Sequence, residues 1–91
     1  MAGNARRVEI DRNLPEPVYR QLADILRGRI ESGRYPPGST IPSLQRIQQE
    51  TGVTKDTIRK GIRLIADEGW IQIVPGKGTF VNPPEGWPSG E

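Results

Sequence analysis

The 91-residue chain contains no cysteine and no histidine. The first absence excludes a disulfide framework and a thiolate zinc site. The second removes the commonest general base and the commonest metal ligand together. Aromatic side chains are scarce, with two Trp, two Tyr and one Phe, so any core must be mainly aliphatic. No apolar run approaches the roughly 20 residues of a membrane span, and MAGNARRVEIDRN at the start lacks the apolar stretch of a signal peptide. The expected compartment is the cytoplasm, with no membrane partner. Asp67 and Glu68 do not share a helix face and no nucleophile–base pair is visible, so the expectation is a protein without enzymatic chemistry, metal or cofactor. A chain of this length makes one small domain with a single core.

What is present is a pattern. Residues 1–13 are polar, carry Arg6, Arg7 and Arg12, and read as a flexible basic arm. Val18, Leu22, Ile25, Leu26 and Ile30 recur at i, i+4, i+7, i+8 and i+12, one face of a helix over about 16–32. Gly33 supplies its stop. Pro36, Pro37 and Gly38 force a turn, and Thr40 and Ile41 suit a short edge strand. Ser43 is the N-cap of a short second helix over about 43–50, which shows only Leu44 and Ile47 as apolar residues. Gly52 permits a sharp change of direction, Val53 is an apolar plug, and Thr54 is the N-cap candidate for a third helix over about 55–68 that stops at Gly69. Helix, tight glycine turn, helix is the helix-turn-helix arrangement. WIQIV and TFV, separated by the turn PGKG, form a hairpin. Trp70 and Phe80 are expected in the core, whereas Leu64 is either packed on the first helix or exposed. NPPEGWPSGE, residues 82–91, reads as a linker or disordered tail with Trp87 exposed. The fold class is mainly α with a small β-hairpin: three helices and a two- to three-stranded antiparallel sheet over residues 14–81.

The net charge is only +2, but Lys55, Arg59, Lys60 and Arg63 crowd into one stretch, TGVTKDTIRKGIR. At 100° per residue Ile58, Ile62 and Ile65 fall within about 60° of one another and make a buried edge. The basic residues occupy the neighbouring outward arc. Such a face is either a solvated surface or an offer to a polyanion. Positive side chains neutralise phosphates, and arginine reads guanine with two parallel hydrogen bonds. Thr54 and Thr57 can meet phosphate or a thymine methyl. Asp56 can accept from cytosine or stabilise the helix N-terminus through the macrodipole. Lys77 sits at the crest of a slim glycine-flanked hairpin, which is either an ordinary exposed turn or a wing that enters the minor groove or lies along the backbone.

YRQLADILRGRIESGRYPPGSTIPS followed by TGVTKDTIRKGIRLIADEGWIQIVPGKGTFV resembles the DNA-binding domain of the GntR family of bacterial transcription factors. The resemblance covers about residues 14–81, and the wing is most similar to the HutC-like and YtrA-like branches. It implies a winged helix-turn-helix that binds palindromic operators as a dimer, commonly as a repressor. It implies that Thr54, Lys55, Thr57 and Arg59 lie at DNA-contacting positions and that Gly76 approaches the minor groove. The full candidate set is Ser43, Gln45, Arg46, Thr54, Lys55, Asp56, Thr57, Arg59, Lys60, Arg63, Pro75, Gly76 and Lys77. Two departures stand out. Leu44 and Gln45 replace the acidic residue and arginine or similar polar residue common after the proline-serine pair, so the phosphate or base contact often made from the second helix is either lost, weakened or taken over by Gln45 or Arg46. Lys55 stands where arginine is frequent, and lysine is not an equivalent bidentate reader. Family members also carry a large C-terminal effector-binding and dimerisation domain, so a small-molecule effector is expected only through such a domain. The alternative from another class is a winged-helix module that binds a protein, which would favour apolar or aromatic anchors on the outward face of the third helix.

Overall fold

The computed structural model describes residues 10–88. Residues 1–9, most of the expected arm with Arg6 and Arg7, and residues 89–91 lie outside the described residues. Three helices, α1 (Val18–Glu31), α2 (Leu44–Thr51) and α3 (Lys55–Glu68), precede two strands, β1 (Ile71–Val74) and β2 (Gly78–Val81). Helix α1 starts two residues later than its apolar pattern suggests, with Pro17 as the cap. Proline disfavours helical backbone in the residue before it, here Glu16, so the helix begins beyond the ring. Ser43 Oγ accepts from the Arg46 amide at 3.1 Å and opens α2. Gly52 and Gly69 close α2 and α3 with φ of +76° and +102°, the left-handed geometry that glycine adopts without strain.

Leu22, Leu26 and Ile30 of α1, Ile47 of α2, Ile58, Ile62 and Ile65 of α3, and Val53 of the intervening turn form one core with Ile71 and Val81 of the hairpin. Full burial of each aliphatic side chain contributes about 1.5–3 kcal/mol. Val18 and Leu64 pack at its margin, half-buried, and Ile25 is also half-buried. Helices α1 and α3 cross closely at Gly61, where an added Cβ would stand 3.0 Å from the Tyr19 carbonyl oxygen.

The strands pair antiparallel, Ile71 opposite Val81 and Val74 opposite Gly78. Residues 38–41 lie along β2 as a third, minimal edge. The Ile41 amide donates to Thr79 O at 3.0 Å, the Val81 amide to Ser39 O at 2.8 Å, and Thr40 bridges to Phe80.

Three expectations fail. Phe80 is half-buried, not core, because it sits on the face of β2 opposite Gln72 and against the exposed Thr40. Residues 82–88 are not a free tail. They fold back through a single 3-10 turn, Pro84–Gly86, and the Trp87 ring rests on buried Trp70 with centroids 5.4 Å apart. The Trp87 indole N–H donates to Asn82 O at 2.8 Å, and the Asn82 side-chain amide donates to Gly69 O at 2.9 Å. Residues 10–13 are likewise tied to the body, through the Gln21 side chain.

Candidate nucleic-acid interface

Helix α3 is split as its sequence requires. Ile58, Ile62 and Ile65 are 0%, 7% and 0% exposed, while Lys55, Asp56, Arg59, Lys60 and Arg63 face outward. Thr54 occupies the N-cap, but its side chain caps no amide. Its hydroxyl is instead hydrogen-bonded to Thr57 Oγ1 at 3.1 Å, so the expected cap bond is absent. The first amides of α3 therefore have no side-chain cap, and the positive end of the helix faces outward with Lys55 beside it.

Arg59 Nη1 donates to Asp56 Oδ1 at 2.8 Å, one turn away. Asp56 thus does two things at once: it stands in the first turn, where the macrodipole favours an acid, and it steadies Arg59. Lys60 Nζ lies 5.8 Å from the centre of the Tyr19 ring, a cation–π placement that leans Lys60 toward the start of α1. Arg59, Lys60 and Arg63 border a shallow depression of about 290 Å³.

Two clefts carry this surface over to the hairpin. One, of about 260 Å³, runs between Arg59 and Arg63 on α3 and Ile73 and Thr79 on the strands. The other, of about 380 Å³, lies between Ser43 and Leu44 at the start of α2 and Lys77, Gly78 and Thr79 of the wing. Both are floored by Leu44 and Ile62. The fold therefore brings Ser43, the α3 arginines and Lys77 onto one continuous surface. Lys77 stands in the exposed three-residue turn with Pro75 and Gly76. Its amide donates to Val74 O at 3.0 Å, and Gly76 has φ of +78° with no atom near an added Cβ. Gln45 and Arg46 are exposed on α2, and Arg46 Nε donates to Glu50 at 3.3 Å.

Two arginines of α1 are held by carboxylates of other elements. Arg27 is paired with Asp24 and with Glu68, and Arg29 with Glu50 at 2.8 Å. Among the described residues no ion pair involves Lys55, Lys60, Arg63 or Lys77, and only Arg59 and Arg46 of the candidate cations have an acid beside them. The sequence pattern singles out neither Tyr19 nor Ile73. Tyr19 lies just off the apolar stripe of α1, and Ile73, 46% exposed, reads in sequence as an ordinary strand residue. No group of acidic residues capable of holding a metal ion occurs among the described residues, and no helix among them is long and apolar enough to cross a membrane.

Three helices, a glycine turn ahead of a basic third helix and a short basic-tipped hairpin define a winged helix-turn-helix protein. The chain belongs to the gntR family of bacterial regulatory proteins, whose family model matches residues 18–81. It is 35% identical over 66 residues to the mannosyl-D-glycerate transport/metabolism system repressor MngR of Escherichia coli, an alignment covering 72% of this chain and 28% of that one. It is 28% identical over 78 residues to the transcriptional repressor NagR of Bacillus subtilis, covering 86% of this chain and 32% of NagR. The chain thus spans about a third or less of the length of these curated relatives. Among solved structures, AraR(DBD) in complex with operator ORX1 superposes with a TM-score of 0.72 at 31% identity, covering 82% of this chain and 96% of the other. YtrA of Sulfolobus acidocaldarius, a GntR-family transcription factor, gives a TM-score of 0.72 at 31% identity over 82% of this chain and 79% of its own.

Proposed function

We propose that this chain is a sequence-specific double-stranded DNA-binding transcriptional regulator, acting in the bacterial cytoplasm at the nucleoid, and that it represses. Helix α3 enters the major groove N-terminus first, and the wing turn Pro75–Lys77 lies in or along the minor groove. The observation that carries the reading is the split of α3: three isoleucines locked into the core, and Lys55, Arg59, Lys60 and Arg63 facing outward on the surface that continues to Lys77. The operator-bound AraR domain of similar fold supports it, as do the repressor relatives. A protein-docking module would present apolar anchors at the centre of this face. The exposed large apolar side chains among the described residues are Leu14 and Ile73; neither lies on α3, and Ile73 is a single apolar residue in the cleft beside Arg59 and Arg63.

In this reading Arg59 takes base edges, Lys55, Lys60, Arg63 and Lys77 take phosphates or bases, and Ser43, Gln45, Arg46, Thr54 and Thr57 contact the flanking backbone. Two copies share a palindromic operator. In-vitro selection from random duplexes tests this directly. Enrichment of one motif with inverted symmetry is the expected outcome. A motif without symmetry would remove the two-copy part, and no enrichment would remove sequence-specific binding.

A further inference from the structure

We propose that residues 10–16 form a third DNA-contacting element, in which Arg12 binds a backbone phosphate beside the turn leading into α3. The proposal rests on the DNA-binding reading above and extends it to a segment outside both the reading helix and the wing.

The anchor is Gln21. It is a polar side chain on α1, yet only 8% exposed, and its whole amide is engaged by the preceding segment. Its Oε1 accepts from the Asp11 amide at 2.9 Å, and its Nε2 donates to Asp11 O at 2.8 Å and to Glu16 O at 3.0 Å. A buried amide stays satisfied only while its partners stay in place, so Gln21 and the segment fix each other. The Asp11 carboxylate turns back to accept from the Asn13 amide at 2.9 Å, and the Leu14 amide donates to Asp11 O at 3.3 Å. These bonds form a local turn and point Arg12 across the molecule.

Arg12 reaches the helix-turn-helix. Its Nη2 donates to Gly52 O at 3.5 Å, in an exposed position. Gly52 closes α2 and lies two residues before Thr54, the cap of α3. The guanidinium is therefore held next to the end of α3 that carries Lys55. One long bond to a carbonyl leaves its other N–H groups to solvent, and a phosphate accepts two of them in parallel. The acid nearest in sequence, Asp11, is engaged by the Asn13 amide.

A purely structural role has the same geometry, since a cation at the C-terminal end of α2 complements its macrodipole. Binding measurements separate the two. Fluorescence anisotropy of the 91-residue chain with the selected duplex and with a scrambled duplex, between roughly 50 and 200 mM salt, gives affinity and salt slope. Arg12→Gln keeps a hydrogen-bond donor and removes the charge. It is expected to weaken binding to both duplexes roughly threefold to tenfold and to reduce the slope by about one. Gln21→Ala, folded by circular dichroism, releases the segment and reproduces that change. Arg27→Gln removes the same charge near Glu68, at the other end of α3, and leaves the slope as in the wild type. The proposal is overturned if Arg12→Gln retains wild-type affinity and slope, whatever its melting temperature, or if Arg27→Gln lowers the slope equally. A wild-type chain with no affinity for either duplex overturns the parent reading instead.

Discussion

At the scale of single residues, the pair between Asp56 and Arg59 bears on how the proposed reading helix meets DNA. An exposed ion pair of this kind is worth about 0–1 kcal/mol, whereas two parallel bonds from arginine to guanine contribute about 1–3 kcal/mol of discrimination. In the proposed docking a contact with guanine is the stronger of the two, so the pair orients Arg59 in the free protein and is expected to yield when a base is offered. Arg59→Ala is therefore expected to weaken binding to the selected duplex roughly tenfold to a hundredfold, a loss of about 1–3 kcal/mol. Its folding stability stays within about 0.5 kcal/mol of wild type, because the side chain is exposed and buries no core surface. Competition titration and chemical denaturation measure the two quantities. Equal affinity in the folded variant would show that Arg59 does not touch DNA. Residues of this type are legible in the sequence, because the 3.6-residue period alone separates Ile58, Ile62 and Ile65 from their basic neighbours.

At the scale of elements, a partly buried ion pair fastens α1 to α2. Arg29 donates to Glu50 at 2.8 Å and to the Tyr35 hydroxyl at 2.5 Å. Burial by itself would raise the Glu50 pKa, but the hydrogen bonds and charges of Arg29 and Arg46 outweigh it and lower the value. At Arg29 burial alone would lower the pKa, but the hydrogen bonds and charges of Glu50 and Tyr35 outweigh it and raise the value, so Arg29 stays charged throughout. A carboxyl group held below its unfolded value stabilises the fold above the ordinary carboxylate range, and that contribution disappears as pH falls through the lowered value. Glu50→Gln is expected to cost about 1–3 kcal/mol at neutral pH. The difference from wild type should shrink as pH falls below about 4. Urea unfolding at several pH values measures it, and a difference independent of pH would contradict the assignment. This tie is not legible in the sequence. Arg29, like Gln21, counts as an outward residue in any hydrophobic pattern, and its partner is 21 positions away. The helices and hairpin are legible because periodicity and glycine stops are local signals. The packing of Trp87 on Trp70 is not, because a proline-rich stretch carries no period from which a return to the core could be read.

At the scale of the whole molecule, the ion pairs that join elements lie away from the candidate surface. Arg27 and Arg29 are neutralised by carboxylates between elements, while most of the cations of α3 and the wing remain without acid partners among the described residues. Both flanking segments are tied to the body, residues 10–16 by Gln21 and residues 82–88 by Trp70 and Gly69. Docking through the basic face of α3 is tested most directly by mapping amide chemical shifts of the isotopically labelled chain as the selected duplex is added. The largest changes are predicted at Thr54–Arg63 and Gly76–Gly78, with Trp70, Asn82 and Trp87 nearly unmoved. Changes concentrated around Trp70 and Trp87, with Lys55 and Arg59 undisturbed, would contradict it.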